Sequence, residues 1–284
     1  MKTSIDCIPC FVRQTIDAVR YVSDDPHIHE SVLREILRSL TGIDLGQSPP
    51  VTGQLIHRRI RELTGNSDPY KETKDRFNHF VAGLLPELKT RVISSQDPLE
   101  TSVRLAIMGN VIDFGPKNSI TENDIRLSIT EALSGAFNFD IESLRSSIDK
   151  AAKILYLADN AGEIFFDRLL IEELPLDRLV LAVRGGPVIN DATLDDAYTA
   201  GLHKIVRIID NGSDAPGTIL SDCSSEFRKC FKEADLIISK GQGNYESLND
   251  VQANIFFLFR IKCSLVALHT GIETGTNVLI GTKK

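Results

Sequence analysis

The chain has 284 residues, of which 42% are hydrophobic and 25% are charged; this composition excludes a disordered or fibrous protein, and the length suits one large domain or two ordinary ones. No apolar run approaches the roughly 20 residues that span a bilayer. The 32 lysines and arginines against 39 aspartates and glutamates give a net charge of −7, which disfavours general nucleic-acid binding and a nucleic-acid partner.

The first ten residues, MKTSIDCIPC, lack the apolar core of a secretion signal. The cysteine count of five is odd, so we expect no disulfide framework and a cytoplasmic location. Cys7 and Cys10 form a CxxC pair that suits a second metal site, holding zinc or an iron–sulfur cluster, or a redox pair. Cys263 is the candidate third ligand and His57 a candidate fourth. The alternative is that Cys7 and Cys10 are small buried hydrophobes at a helix start.

Residues 1–150 are predicted to be almost entirely helical. Apolar side chains recur at spacings of three and four residues, and prolines and capping residues separate the segments. Pro86 is expected to kink or break the longest of them. The predicted segments are 8–21, 29–40, 53–63, 69–92, 99–110 and 125–136. Five to seven helices with short connections predict a helical N-terminal domain.

Residues 151–284 alternate short apolar runs with helical segments. The predicted strands are 154–158, 179–183, 204–209, 236–239 and 264–268. The predicted helices are 162–174, 191–201, 222–234 and 245–261; Cys223 and Cys230 share a face of one of them and are predicted to be core. Strands that alternate with helices predict a largely parallel sheet covered on both faces. The fold class is therefore a three-layer α/β/α Rossmann-like domain, at 151–284, preceded by the all-helical domain at 1–150.

Ligands of parallel sheets bind at the carboxyl ends of the strands, and polar residues collect there. The first strand is followed by Asp159, Asn160 and Glu163, with Gly162 allowing a tight turn into the next helix. By itself this turn is more simply explained as a helix N-cap.

The second strand is followed by RGGPVINDAT, in which Asp191 opens the next helix, and the fourth by SKGQGNYE, which contains Lys240. Exposed backbone N–H groups beside a lysine suit a phosphate, although a glycine-rich turn with a solvated lysine is a common alternative. His269 follows the predicted fifth strand, where a lone histidine is more often structural than catalytic.

The joint placement of these turns carries more weight than any one of them. Asp159, Asn160 and Asp191 form a set of hard oxygen ligands that suits Mg²⁺ or Mn²⁺. Lys240 and Lys262 would balance an anionic substrate. A divalent cation, lysines and backbone N–H groups together are the requirements of phosphoryl chemistry.

The motifs DNAGE, GGPVINDAT, SKGQGNYE and RIKC, in this order after a helical half, resemble the metal-dependent damage-control phosphatases. This family is also known as domain of unknown function 89 and is named after an acidic residue methyltransferase. CIPC and the late Lys-Cys pair are similar to its archaeal and bacterial cysteine-containing branch. The resemblance covers nearly the whole chain, and it implies hydrolysis of small phosphoesters such as sugar phosphates with Mg, Mn, Co or Ni as the cofactor.

The resemblance also implies roles for individual residues. Asp159, Asn160 and Asp191 would be the metal ligands, with Asp159, Asp191 and Lys262 as the catalytic set. The residues implied to contact the substrate and its phosphate are Asn110, Asp113, Glu163, Lys240, Gly243, Asn244, Tyr245 and Lys262. The partner is then a small phosphorylated metabolite, with no nucleic acid and no membrane.

A mechanism follows as a hypothesis: the cation and Lys262 offset charge in the transition state, while the attacking group is either an activated water or Asp159. Three other classes of protein remain as alternatives. A dinucleotide-binding enzyme is disfavoured because the first turn has one glycine where such sites use three. A methyltransferase using S-adenosylmethionine lacks the expected glycine-rich loop, and a non-catalytic metal-binding protein would show no phosphatase activity.

Overall fold

A computed structural model describes residues 1–110, 122–134 and 140–282. In these ranges the N-terminal half is helical, as predicted. Its helices are α1 (Cys7–Val22), α2 (Pro26–Leu40), α3 (Pro49–Thr64), α4 (Lys71–Ile93), α5 (Pro98–Gly109), α6 (Glu122–Ser134) and α7 (Ile141–Lys150). Prolines occupy the first turn of α2, α3 and α5, where the missing N–H has no helical partner to lose. α4 continues through Pro86.

The C-terminal half forms one sheet with helices between its strands. The strands are β1 (Ile154–Leu157), β2 (Leu179–Val183), β3 (Arg207–Asp210), β4 (Leu236–Lys240), β5 (Ile255–Arg260) and β6 (Asn277–Gly281). The helices are α8 (Glu163–Ile171), α9 (Leu194–Thr199), α10 (Ser225–Glu233), α11 (Gln242–Leu248) and α12 (Ser264–Thr270). These elements confirm the predicted α/β class.

The strand order is β3-β2-β1-β4-β5-β6, with β1 to β5 parallel and β6 antiparallel to β5. The chain builds outwards from β1 in one direction and restarts at β4 in the other. The crossover connections therefore diverge between β1 and β4, and this divergence opens a crevice at the carboxyl ends of these two strands. The sheet topology thus singles out the turns after β1 and β4.

Two predicted elements near the C-terminus are wrong. Residues 245–261 are not one helix, because Ile255–Arg260 is strand β5, and 264–268 is not a strand, because it lies in α12. β5 is buried on both faces, so its continuous apolar run has no period that separates a strand from a helix. In α12 Val266 is buried while Leu268 is 84% exposed, as expected of a surface helix. The correction moves Lys262 to the carboxyl end of β5, and His269 to the end of a helix.

Among the residues that the structure describes, the buried apolar side chains form three clusters. The largest joins α4, α5 and α8 to one face of the sheet, and the second joins α10, α11 and α12 to the other. Along β1, Ile154 and Tyr156 belong to the first cluster, and Leu155 and Leu157 to the second, which is the alternation of a strand covered on both faces. A third cluster joins α1, α2 and α3, and α3 also packs against α11.

The predicted division into domains at residue 150 stays a prediction. The largest cluster takes residues from both sides of this boundary, so α5 and α8 share one core. This packing brings the end of α5 to the edge of the sheet where β1 ends. Among the described helices, none is long and apolar enough to cross a membrane.

Candidate functional site

The turn after β1 gathers three polar side chains at the crevice. Asn160 Nδ2 donates to Asp159 Oδ2 and to Glu163 Oε2, both at 2.8 Å. Gly162, at φ 73°, starts α8 in a conformation that favours glycine. Because the amide nitrogen of Asn160 lies between two carboxylates, its carbonyl oxygen is the end that remains for a ligand.

The turn after β2 is joined to the turn after β1 through backbone hydrogen bonds. Ala192 N donates to Asp159 O at 2.7 Å, and Ala161 N donates to Asn190 O at 2.8 Å. Asp191 thereby pairs with Asn160 in an isolated antiparallel bridge. Ile189, two residues earlier, has φ 46°, a strained conformation for a β-branched residue. Strain of this kind persists where the surroundings impose it, as they do at binding sites.

The turn after β4 closes the crevice from the other side. Gly241 has φ 81°, and a Cβ there would lie 2.1 Å from Asp159 Cγ. A Cβ at Gly243 would lie 2.2 Å from Pro216 O. Only glycine therefore allows this backbone to approach Asp159 and the neighbouring loop. Asn244 is fully buried, and its side chain donates to Lys240 O at 2.7 Å.

Asn110 reaches the crevice from the C-cap of α5. Its Nδ2 donates to Asp159 Oδ2 at 2.8 Å and to Glu163 Oε2 at 3.1 Å, while its Oδ1 accepts from Arg260 N at 3.3 Å. The structure thus brings Asn110 to the turn after β1. Asp113, which was predicted beside it, lies outside the described residues.

Lys240 and Glu163 are buried partners of each other. Lys240 Nζ donates to Glu163 Oε1 at 2.6 Å, to Asp167 Oδ1 at 2.5 Å and to Ala106 O at 2.8 Å. Three acceptors use the three hydrogens of the ammonium group. This geometry favours a supporting role for both residues over the phosphate contact that the sequence predicts. Sequence reasoning did not find Asp167, which lies one helical turn beyond Glu163 on α8.

Tyr245 and Lys262 differ in exposure. The Tyr245 ring packs 5.0 Å from Phe259, and its hydroxyl pairs with His269 Nδ1 at 2.8 Å, so this side chain is part of the core under the turn. Lys262 is exposed at the end of β5, and its backbone N donates to Gln242 Oε1 at 2.8 Å. Burial raises the pKa of Asp159, and the positive charge of Lys262 opposes this increase, so Lys262 lies near the crevice, at its exposed rim.

Arg184 is a second site residue that sequence reasoning missed. It directly follows β2 and is only 3% exposed. Its Nε donates to Asp191 Oδ2 at 2.6 Å, its Nη1 donates to Asn244 Oδ1 at 3.1 Å, and its Nη2 lies 3.5 Å from Asp159 Oδ1. The signal for it was the first letter of RGGPVINDAT, a cation placed directly at a strand end.

The buried side chains of the site include more acidic groups than basic ones. Its buried side chains comprise four carboxylates and two cations, namely Asp159, Glu163, Asp167, Asp191, Arg184 and Lys240. Burial raises the pKa of Asp159, and the charges of Asp191 and Glu163 raise it further against the opposing effect of Arg184. Burial likewise raises the pKa of Asp191, with Arg184 again opposing. When all four carboxyl groups are ionised, their charge exceeds that of the two cations by two units, which one divalent ion would balance.

The cysteines lie at helix starts. Cys7 is the first residue of α1 and Cys263 is the N-cap of α12, where its Sγ accepts from Gln242 Nε2 at 3.5 Å. Burial raises the pKa of Cys7, partly offset by a hydrogen bond involving Ser4, and the charges of Glu246 and Cys263 add to the increase. Within the described ranges no three His, Cys, Asp or Glu side chains form a ready-made metal site. The second metal or redox site at Cys7, Cys10 and Cys263 stays a prediction.

Comparison with known proteins finds a family model and several relatives that match nearly the whole chain. The family model of the damage-control phosphatase ARMT1-like domain matches residues 3–278. A damage-control phosphatase of Archaeoglobus fulgidus is 36% identical over 98% of each chain, and one of Pyrococcus horikoshii is 32% identical over 100% of this chain and 99% of its own. An uncharacterized protein of Methanocaldococcus jannaschii is 38% identical over 99% of this chain and 95% of its own.

The fold is likewise similar to a solved structure. The crystal structure of a DUF89 family protein from Pyrococcus horikoshii superposes with a TM-score of 0.92 at 31% identity and covers 100% of both chains. The likeness therefore extends from the helical half through the sheet, and it confirms the predicted fold class.

Proposed function

The chain belongs to the damage-control phosphatase ARMT1-like family, and we propose that the crevice at the carboxyl ends of β1, β2 and β4 is its active site. The protein is a phosphatase, as its relatives are named, and its substrate is a small phosphorylated metabolite. A cytoplasmic location, predicted from the odd number of cysteines, is part of this proposal.

One observation supports the placement of the site above others. Two buried carboxylates, Asp159 and Asp191, meet beside a backbone turn that only Gly241 can form. Burying like charges together costs free energy unless cations compensate them, and Arg184, which contacts both carboxylates, supplies one positive charge for the two. The site lies at the point where the strand order reverses, which is where open α/β sheets bind their ligands.

The donor set fits a divalent cation. Asp159 and Asp191 offer carboxylate oxygens, and Asn160 offers the carbonyl end of an amide whose nitrogen is held by Asp159 and Glu163. Hard oxygen donors suit Mg²⁺ and Mn²⁺, and Co²⁺ and Ni²⁺ also bind sites of carboxylate and carbonyl oxygens. These three residues would hold the ion. When bound, it supplies positive charge that offsets the negative charge developing on a phosphoryl group.

The remaining residues hold the site in shape. Lys240 fixes Glu163, and Glu163 accepts from the amide groups of Asn110 and Asn160. This chain of buried hydrogen bonds sets the direction of the Asn160 carbonyl before any ligand arrives. Pre-organised groups of this kind need no rearrangement in the transition state.

Lys262 at the rim attracts an anionic substrate towards the crevice. The attacking group is either an activated water or the Asp159 carboxylate, which the same crevice would bring close to the phosphorus. Asp159 Oδ2 already accepts two amide hydrogens, so its position is fixed in both cases.

The test is phosphate release from a panel of sugar phosphates and nucleotides with Mg²⁺, Mn²⁺, Co²⁺ and Ni²⁺. Asp191→Asn should abolish release with every metal, because it removes one of the two carboxylates. Asp195→Asn is the matched control, since Asp195 is an exposed carboxylate four residues further on. Unchanged release by Asp191→Asn would refute the placement of the active site.

A further inference from the structure

Arg184 has one buried nitrogen without a hydrogen-bond partner. Two of its three guanidinium nitrogens are held: Nε donates to Asp191, and Nη1 donates to Asn244 and contacts Thr218 Oγ1 at 3.5 Å. Nη2 makes no hydrogen bond within the described residues. It lies 3.5 Å from Asp159 Oδ1, so it faces the centre of the crevice.

A buried donor without an acceptor is rare in native proteins and usually marks the place of a ligand or an ordered water. The guanidinium is planar, so fixing Nε and Nη1 also fixes the direction of the Nη2 hydrogens. Charge-assisted bonds from arginine to phosphate oxygens are among the strongest hydrogen bonds in proteins. The unused nitrogen is therefore already aimed at the space that a phosphoryl oxygen would occupy.

The other cations of the site are less suited to this task. Lys240 is fully buried and surrounded by its three acceptors. Lys262 is exposed at the rim, where water competes for its charge. Of these three cations, Arg184 alone combines full burial with an unused donor.

We propose that Arg184 is a catalytic residue, whose Nη2 donates to an oxygen of the phosphoryl group that is transferred. The inference rests on the proposed function and adds to it the residue that binds the phosphoryl group. Asp191, Asn244 and Thr218 hold the guanidinium in place, and its charge stabilises the transition state as phosphoryl-transfer enzymes commonly arrange with arginine.

Arg184 also competes with the divalent cation for the same two carboxylates. Its Nε donates to Asp191 Oδ2 and its Nη2 lies 3.5 Å from Asp159 Oδ1, and a positive group at this place repels a second one. Removing the charge should therefore leave metal affinity unchanged or increase it, while phosphate affinity falls. A purely structural role predicts the opposite pattern, in which both affinities fall together because Asp191 and Asn244 lose their support.

The experiment compares wild type, Arg184→Gln and Arg184→Lys. Mn²⁺ affinity is measured by electron paramagnetic resonance, affinity of the Mn²⁺-loaded protein for inorganic phosphate by calorimetry, and kcat from phosphate release. Arg168→Gln is the control, since Arg168 is a partly buried arginine on α8 that donates to Glu172 Oε1 and to Ala200 O. Thermal unfolding checks that each variant folds.

For Arg184→Gln we expect kcat to fall by about 10²–10³-fold, phosphate affinity to fall about tenfold or more, and Mn²⁺ affinity to stay equal or rise. Arg184→Lys should give a kcat and a phosphate affinity between those of wild type and Arg184→Gln, because lysine keeps the positive charge but lacks the planar fork of N–H donors. Wild-type kcat and phosphate affinity in Arg184→Gln would overturn this inference alone, as would a joint loss of Mn²⁺ and phosphate affinity in both variants. A wild-type protein that neither binds nor releases phosphate would overturn the proposed function itself, and this inference with it.

Discussion

Lys240 Nζ and Glu163 Oε1 lie 2.6 Å apart, and neither side chain has any exposed surface. Asp167 Oδ1 lies 2.5 Å from the same ammonium group, and the Tyr156 hydroxyl donates to that oxygen at 2.9 Å. This buried group links strands β1 and β4 to helix α8 directly beneath the crevice. It makes the shape of the proposed site depend on a charge balance inside the core.

Lys240→Met should destabilise the protein strongly. It leaves Glu163 and Asp167 buried without their cation, and breaking a buried ion pair typically costs about 3–5 kcal/mol. Urea unfolding measures the loss. Lys153→Met is the control, since Lys153 pairs with Glu233 at the surface and should change the free energy of unfolding very little.

The double variant Lys240→Met with Glu163→Gln should lose less than the sum of the two single changes, since each removes the reason for the other's cost. A double variant whose loss in free energy of unfolding equals the sum of the two single losses would contradict the coupling between Lys240 and Glu163. A fall of less than about 1 kcal/mol in Lys240→Met would show that this lysine does not compensate the buried carboxylates.

Gly241→Ala should inactivate the enzyme. The backbone there has φ 81°, and the new Cβ would lie 2.1 Å from Asp159 Cγ, so either the turn or the carboxylate must move. Misplacing a catalytic group by about 1 Å can cost about 100-fold in rate. Phosphate release gives the activity and thermal unfolding gives the stability.

Gly271→Ala is the matched control for this change. Gly271 has φ 71°, but a Cβ there would meet nothing within 4 Å. This variant should lose about 1–2 kcal/mol of stability from the left-handed backbone and retain its activity. Equal activity of the two variants would show that the contact between Gly241 and Asp159 is not important for catalysis.

The elements of the site could be predicted from sequence where polar residues directly follow short apolar strands. The turns after β1, β2 and β4 were found in this way, because parallel strands all end at one edge. Arg184 and Lys240 show where this reasoning stops. Arg184 follows β2 and Lys240 ends β4, and both carry a positive charge. Arg184 nevertheless directs an unused donor into the crevice, whereas Lys240 is enclosed beneath the crevice. The difference depends on α5 and α8, whose packing against the sheet no local pattern encodes.

β5 and α12 mark a second limit. The run 255–259 is apolar at every position, so burial on both faces removed the alternation that identifies a strand. The wrongly predicted strand would start just after Lys262 and put this lysine at the edge of the sheet opposite Asp159, which conflicts with the role that the family resemblance implies for Lys262. Pairing of β5 with β4 and β6 resolves it, and such pairing is a property of the whole sheet.

Stability should fall as the pH is lowered from 6.5 towards 4 because of His57. This side chain is fully buried, and burial lowers its pKa to about 4, with a further decrease from Arg61 and an opposing effect of Asp214. The Tyr70 ring packs beside it. The unfolded chain takes up a proton below its pKa of about 6.5, while the folded chain does not until about pH 4. Protonation therefore favours the unfolded state across this window.

Protonation of His57 in the unfolded chain should lower the free energy of unfolding by about 2 kcal/mol between pH 7.5 and pH 5.0. Urea unfolding at these two values compares wild type with His57→Leu, which has no group to titrate. The other titrating residues are common to both proteins, so the difference between the two pH dependences isolates His57. Parallel pH dependences would mean that His57 is hydrated or protonated in the folded state.

The cysteines should differ in their reactivity towards iodoacetamide. None of the five forms a disulfide. Cys223 is buried, and burial raises its pKa to about 12, so it should be alkylated only after unfolding, because the thiolate is the reacting form. Cys10 is exposed in the first turn of α1 and should react in the folded protein. Mass spectrometry of the alkylated peptides gives the order.

The same labelling tests the predicted second site at Cys7, Cys10 and Cys263. Cys263 lies near enough to Cys7 for its charge to raise the pKa of Cys7. A zinc ion shared by the three cysteines would hold them as thiolates that iodoacetamide cannot reach. We expect Zn²⁺ to protect the three together and to leave the rate at Cys230 unchanged, since Cys230 lies on α10 and is not one of the predicted ligands. Protection of Cys10 alone would contradict a shared site, because a zinc ion bound by all three cysteines must slow the alkylation of all three.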